Sequence, residues 1–184
     1  MSGLLDYYIA KSKYYARVRR QSMNTYTVAF FGHRELADQF TIEDRLKPIL
    51  RELINSKEYV EFLVGRDGDF DQLAASAVRE AAGLYGCGNT SLVLVLPYER
   101  AEYRDNMENY LSYYDEVEIC PESAKAHFKA AIGIRNRTMA DRADLIICAV
   151  ERHCRGAWTA VSYAKNQGKR IINLAEDGDE NGRV

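Results

Sequence analysis

Four apolar runs of strand length restrict the fold more than any other feature of this sequence. They span residues 26–31, 59–64, 91–96 and 145–150, and none shows the polar alternation of a strand with one face in water. Runs of this kind suit strands that are covered on both faces, as in a parallel sheet. Segments of helical period separate them. We therefore expect an α/β fold: a doubly wound, mostly parallel, Rossmann-like sheet with helices on both faces.

The segments between these runs predict individual helices and two shorter strands. Thr41–Asp44 has the form of a capping box that opens a helix, and Asp69 with Gln72 is expected to cap the next one. Pro48 is expected to kink the first of these helices or to delay its start. Further helices are expected near 101–111, over 123–139 and over 156–167, and further strands over 117–120 and 170–174.

The chain is expected to form one domain with an extension at each end. Residues 1–22 are basic and rich in Tyr, with five Lys or Arg residues against a single acid, Asp6. One interpretation is an arm that binds nucleic acid or membrane. The other, which we favour, is a solvated extension upstream of the domain. Residues 23–175 are expected to form the Rossmann-like domain, and the polar residues 176–184 a tail.

Composition and charge reduce the range of binding partners that we expect for this chain. The 25 basic and 27 acidic residues give a net charge of −2, which provides no overall attraction to nucleic acid or to an anionic membrane. No apolar run reaches the roughly 18 residues of a membrane helix, and the N-terminus lacks the apolar core of a signal peptide, so we expect a cytoplasmic protein. The four cysteines show no C-x-x-C spacing. Disulfides and structural zinc are not expected, and a metal held by His33, His153 and Cys154 is the weaker alternative.

The candidate ligand-binding residues begin at the ends of the first two runs, where an open parallel sheet binds its ligands. Gly65 and Gly68 are expected to form a tight turn whose N–H groups face a phosphate, or simply a turn that needs glycine. The acids beside them cap the helix in one interpretation and contact a ribose hydroxyl in the other. The candidates from this part of the sequence are Gly32, His33, Arg34, Gly65, Gly68, Asp69 and Asp71.

Arg135 is expected on the apolar stripe of the helix that precedes the fourth run. Phe128, Ile132, Arg135 and Met139 are spaced by four, three and four residues, which puts them on one helical face. A buried guanidinium needs an anion, either a protein carboxylate or a ligand phosphate. We favour the phosphate, and the adjacent Asn136 could then bond to the sugar or the base.

A second anion site is expected where the fourth run leads into a helix. Arg155 and Gly156 open that helix, and its first amides could hold a phosphate. Trp158, followed by Thr159, stacks on a base in one interpretation and packs in the core in the other. His33 is either an acid–base group or a turn residue. No nucleophile–base pair follows from spacing, so no catalytic residue is assigned.

These motifs, in this order, resemble the DprA/LOG-like (SLOG) superfamily of Rossmann-like nucleotide-binding proteins, and within it the uncharacterised YpsA-like branch. The resemblance covers about residues 25–175. It implies a pocket at the carboxyl ends of the strands for a nucleotide or a nucleotide-derived ligand of the NAD or ADP-ribose type. The matching segments are Gly32–Arg34, Gly65–Ala74, Arg135–Met139 with Ala143–Asp144, and Arg155–Ala157 with the helix residues 160–164.

The sequence also departs from the LOG enzymes, which hydrolyse the N-glycosidic bond of nucleoside monophosphates. Arg155 and Ala157 replace the glycine and threonine of the family's Gly-Gly-Thr turn, and no glutamate follows at the catalytic spacing. Cleavage of an N-glycoside needs a carboxylate near the developing oxocarbenium ion. A nucleotide-binding or sensor domain is therefore our first hypothesis. A hydrolase using Asp69 or Asp71 is the second, single-stranded nucleic-acid binding the third, and a homo-oligomer is left open.

Overall fold

The computed structural model describes residues 23–151 and 155–176. The predicted basic extension (1–22), the pair His153–Cys154 and residues 177–184 of the predicted tail lie outside the described residues. The proposed roles of these segments therefore stay predictions.

Six parallel strands form one sheet in the order β4-β3-β2-β1-β5-β6. The chain winds outward from β1 to β4 and then returns to the other side of β1 with β5 and β6. The direction of winding therefore reverses between β1 and β5, which is the usual ligand position of an open α/β sheet. The predicted doubly wound sheet is confirmed. Its strands are β1 Thr25–Gly32, β2 Tyr59–Val64, β3 Thr90–Leu96, β4 Glu116–Ile119, β5 Leu145–Ala149 and β6 Arg170–Asn173.

The helices in the described part of the chain differ from the predicted ones mainly at their ends. The segment expected as one helix near 101–111 forms two, and the segment 123–139 is divided by residues 125–127. The helices are α1 Gln39–Ser56, α2 Asp69–Tyr85, α3 Ala101–Asp105, α4 Met107–Tyr113, α5 Pro121–Ala124, α6 Phe128–Arg142 and α7 Arg155–Asn166.

Two predicted helix caps were wrong. The N-cap of α1 is Asp38, whose carboxylate accepts hydrogen bonds from the Thr41 backbone N–H at 3.0 Å and from the Thr41 hydroxyl at 2.6 Å. Thr41 is thus the partner of the cap and not the cap itself, and Pro48 lies inside a helix that starts before it. The N-cap of α2 is Gly68, without a side-chain cap, so Asp69 does not have the capping role expected of it.

The two faces of the sheet explain why the strands lack polar alternation. On one face Val28 and Phe30 pack with α1 and α2, and on the other Ala29 and Phe31 pack with α6 and α7. All four of these side chains are buried. Both faces are therefore covered, as the apolar runs predicted.

An arginine on α6 forms ion pairs with carboxylates on two strands in the outer half of the sheet. Glu61 of β2 is 4% exposed, and its side chain accepts a hydrogen bond from the Thr27 hydroxyl at 3.3 Å. Arg142 of α6 lies 3.4 Å from Glu61 and donates to both oxygens of Glu118 on β4 at 2.8 Å. A single arginine thus neutralises a buried acid and holds the edge strand.

We expect the two ion pairs of Arg142 to contribute different amounts to the free energy of unfolding. Arg142→Met leaves the buried Glu61 without its cation, and we expect a loss of about 3 kcal/mol in the free energy of unfolding. Glu118→Gln breaks only the more exposed pair and should cost less than about 1 kcal/mol. Urea unfolding of both variants measures the difference. Equal losses would contradict the assignment of Glu61 as the group that depends on Arg142.

Candidate functional site

A cavity of about 670 Å³ opens at the carboxyl end of the sheet. Its walls come from the end of β1 and the loop that follows, the loop after β2 with the first turn of α2, the middle of α6, the loop after β5 and the start of α7. The cavity therefore lies where the winding of the sheet reverses, and its volume is in the range of small-molecule sites. The residues that close it around the polar groups are Phe30, Phe31, Leu36, Ala37, Ile132 and Ala157.

Most of the candidate residues from the sequence meet in this cavity. Those that line it are Gly32, His33, Arg34, Gly68, Asp71, Arg135, Asn136 and Gly156. They come from four segments that are far apart in sequence. The convergence agrees with the expectation that the strand ends form one mouth, but it does not by itself identify a ligand.

The remaining candidates have other positions. The carboxylate of Asp69 accepts hydrogen bonds from the Leu36 backbone N–H at 3.2 Å and from the Gln39 amide at 3.3 Å, so it ties the loop after β1 to α2. Trp158 packs against the core of α6 and α7, as in the simpler of its two interpretations, and Thr159 is exposed. Arg155 begins α7, but its side chain lies outside the described set.

Gly65 and Gly68 are needed for close approach and not for a left-handed turn. A Cβ on Gly65 would lie 2.5 Å from Nη1 of Arg135 and 2.6 Å from Oδ2 of Asp71. A Cβ on Gly68 would lie 2.6 Å from the Cα of Arg34, while its φ of −161° is one that any residue adopts. The turn interpretation is thus replaced by a steric one. A side chain at Gly68 would collide with the backbone of the loop after β1, and one at Gly65 would displace the charged ends of Arg135 and Asp71 at the floor of the cavity.

Arg135 is only 4% exposed and lies between protein carboxylates and the cavity. Its Nη2 is 3.6 Å from Oδ2 of Asp67, and its guanidinium faces Asp71 across Gly65. Nη1 is 3.6 Å from the sulfur of Met139. Among the described residues, the buried Nε finds no hydrogen-bond partner. Both anions considered for this side chain, a protein carboxylate and a ligand group, are therefore compatible with its surroundings.

The apolar stripe predicted around Arg135 holds for three of its four members. Ile132 lines the cavity, Met139 is fully buried, and Arg135 lies between them. Phe128, however, is 65% exposed. It is the first residue of α6, one turn before the helix reaches the sheet, so this part of the prediction was wrong.

Asp71 is an acid in the cavity whose pKa is strongly raised by its environment. Withdrawal from water raises its pKa to about 6, and the positive charge of Arg135 and a hydrogen bond from the Asp67 backbone N–H act against this rise. That hydrogen bond is 2.9 Å long and fixes the orientation of the carboxylate. Asp71 is therefore poised to exchange a proton near neutral pH.

The raised pKa of Asp71 predicts a pH dependence of stability. The folded protein holds this proton more tightly than the unfolded chain, in which the pKa is 3.8, so stability should fall as pH rises from about 4 to about 6. Asp71→Asn removes this effect. The stability of the variant relative to wild type should rise by about 2 kcal/mol between pH 4 and pH 7, as measured by urea unfolding. A difference that does not vary with pH would show that Asp71 titrates normally.

The cavity is also lined by three carboxylates that were not among the candidates from the sequence: Glu35, Asp67 and Glu151. Asp67 stands between the two selected glycines, and Glu151 is the second residue after β5 as Arg34 is after β1, so position alone could have found both. With Asp71 they face two arginines, Arg34 and Arg135. Among the wall residues that the structure describes, acidic groups thus outnumber basic ones.

The described residues form neither a metal-binding cluster nor a membrane-spanning helix. Within residues 23–151 and 155–176, no group of three or more His, Cys, Asp or Glu side chains is arranged to hold a metal ion. The alternative that joins His33 to His153 and Cys154 falls partly outside these ranges. No helix in the same ranges is both long and apolar enough to cross a bilayer.

The order of the strands, the helices that connect them and the cavity at the point where the winding reverses define a Rossmann-like α/β protein. Its fold is similar to that of DNA processing protein A (DprA) from Streptococcus pneumoniae, with a TM-score of 0.58 and 15% identity over 86% of this chain and 52% of that chain. DprA from Helicobacter pylori, described for its single-stranded DNA binding mode, gives 0.55 and 14% identity over 79% of this chain and 63% of that one.

This similarity confirms the predicted DprA-like Rossmann-type fold. No protein-family model matches the sequence, and no curated protein is significantly similar to it. The chain spans about half of the S. pneumoniae protein and less than two thirds of the H. pylori protein. The YpsA-like branch stays a prediction, because a shared fold does not determine function.

Proposed function

We propose that this protein binds a nucleotide or a nucleotide-derived ligand, as a binding or sensor domain, in the cavity at the carboxyl end of the sheet. The observation that carries the proposal is the buried guanidinium of Arg135, which lines the cavity and whose Nε has no partner among the described residues. A buried donor of this kind favours an anion, and a phosphate oxygen would satisfy it.

The start of α7 supports the same proposal. Gly156 lines the cavity one residue after the helix begins, and a Cβ built on it meets no atom within 4 Å. The position of a side chain at Gly156 is therefore open space beside the first turn of a helix of 12 residues. The partial positive charge at a helix N-terminus is suited to an anionic group placed there.

The acidic walls favour a particular distribution of charge in the ligand. Carboxylates accept hydrogen bonds from hydroxyl groups but repel phosphates. Asp71 and Glu151 line the same cavity as Arg135. A ligand with a phosphate near Arg135 and hydroxyls toward the acids satisfies both kinds of group, and a ribose phosphate has this arrangement.

A thermal-shift screen against nucleoside monophosphates, NAD and ADP-ribose tests the proposal. A ligand at 100 times its Kd stabilises the folded state by about 2.7 kcal/mol. Arg135→Ala should abolish this stabilisation. Arg137→Ala is the matched control, because Arg137 is on the same helix but lies over the Tyr163 ring at 5.7 Å and does not line the cavity among the described residues. Stabilisation of the Arg135 variant equal to that of wild type would contradict phosphate binding by this side chain.

A second candidate, hydrolysis of the N-glycosidic bond of nucleoside monophosphates, is supported by Asp71. It lines the cavity with its pKa raised to about 6, so it could supply a proton or a carboxylate at the sugar. Asp69, the other acid considered, has its carboxylate hydrogen-bonded to Leu36 and Gln39. The role of the missing LOG-type glutamate would therefore fall to Asp71.

Incubation with nucleoside monophosphates, followed by chromatography for free base, distinguishes the enzyme from the binding domain. If the protein is a hydrolase, Asp71→Asn should lower the rate at least about 100-fold, the usual loss for a general acid or base. Asp69→Asn, the matched control, should retain most of the activity. Ligand binding without release of base would rule out the hydrolase.

Binding of single-stranded nucleic acid is the third candidate, and the H. pylori DprA, with the same fold, is the observation in its favour. The net charge of −2 and the acidic walls of the cavity weigh against it, because such binding depends on cations along the path of the backbone. A small ligand with one anionic group fits these charges better.

A further inference from the structure

Asp67 is shared between two arginines, only one of which reaches the cavity. Arg100, the residue before α3, donates from Nη2 to the two Asp67 oxygens at 2.7 and 3.0 Å. Arg135 approaches the same carboxylate only to 3.6 Å, which is too long for a hydrogen bond. Arg100 is not among the described residues that line the cavity, whereas Asp67 and Arg135 both are.

Among the residues that the structure describes, the charges of the carboxylates that act on Arg135 are balanced when Arg100 is counted. Asp67 and Asp71 together carry two negative charges when ionised, and both act on the guanidinium of Arg135. Arg135 alone neutralises one of them. With Arg100 present the group is neutral, and without it a surplus carboxylate would repel any anion that enters the cavity.

Neighbouring groups do not offer a substitute for Arg100. Arg66, next to Asp67 in sequence, is paired with Glu102 at 2.8 Å and lies over the Tyr110 ring at 4.4 Å. The side chain of Asp71 accepts its hydrogen bond from the Asp67 backbone N–H, so it is directed to the main chain and not to Arg100. The hydrogen bonds from Arg100 to Asp67 are therefore the specific contact that competes with the ion pair between Asp67 and Arg135.

We propose that Arg100 is a positioning residue for ligand binding: by engaging Asp67, it keeps the guanidinium of Arg135 available to an anionic ligand. The proposal rests on the proposed function of the cavity and adds a residue from outside its walls. If Arg100 is removed, Asp67 is free to turn fully to Arg135, and the ligand must compete with it.

Isothermal titration of the full chain with AMP, GMP, CMP and UMP tests this proposal. Arg100→Met should weaken the tightest of these interactions about tenfold, within the usual range for residues that share a partner. Arg100→Lys, which keeps the charge, should stay within about threefold of wild type. Asp67→Asn combined with Arg100→Met should restore the affinity to within about threefold, because the surplus carboxylate is gone. Arg66→Met is the matched control and should bind as wild type does.

The outcomes separate this inference from the function on which it rests. If wild type binds none of the four nucleotides and the thermal-shift screen finds no other ligand, both are refuted. If the screen finds NAD or ADP-ribose instead, the same variants are titrated with that ligand. If wild type binds and Arg100→Met binds equally well, or if the double variant binds as weakly as Arg100→Met, the positioning role alone is wrong. Should Arg100→Met fail to fold by circular dichroism, the comparison of Arg100→Gln with Arg100→Gln/Asp67→Asn decides the same point.

Discussion

The withdrawal of one guanidinium from water is the constraint around which the carboxyl end of the sheet is built. Arg135 is buried next to the loop after β2, and its guanidinium lies in the space that a side chain at Gly65 would occupy. A buried arginine cannot be neutralised by losing its proton, so its surroundings must supply negative charge. Asp67 and Asp71 supply part of it, and the cavity beside them leaves room for a further anion.

The burial of Arg135 explains the electrostatic character of the whole site. Carboxylates that stabilise the arginine in the absence of ligand also compete with the ligand, and the charge of Asp67 adds to the rise in the pKa of Asp71 that burial causes. The site is thus suited to a ligand with a single compact anionic group and neutral hydroxyls, and less suited to a polyanion. This preference for one anionic group follows from the residues of the site and not from the fold. The fold is similar to that of DprA, and a fold of this kind is compatible with many ligands.

The sheet could be predicted well from the sequence, because strands that are buried on both faces are apolar runs without polar alternation. The bounds of β2 agree with the prediction to the residue, and the winding order placed Gly32, Gly68 and Gly156 at one edge. Helix ends were harder to predict, since the choice between Asp38 and Thr41 as N-cap depends on backbone geometry. The position of Asp69 and the sharing of Asp67 could not be predicted, because they depend on contacts between loops after β1, β2 and β3.

The availability of Arg135 to a ligand can be measured directly by NMR of the arginine Nε–H groups, with the signal assigned by its loss in Arg135→Lys. On titration with the nucleotide that gives the largest thermal shift, we expect the Arg135 Nε–H proton to move downfield with a saturating dependence on concentration, as a hydrogen bond to phosphate forms. A nucleotide that binds while this signal stays unchanged would contradict the account.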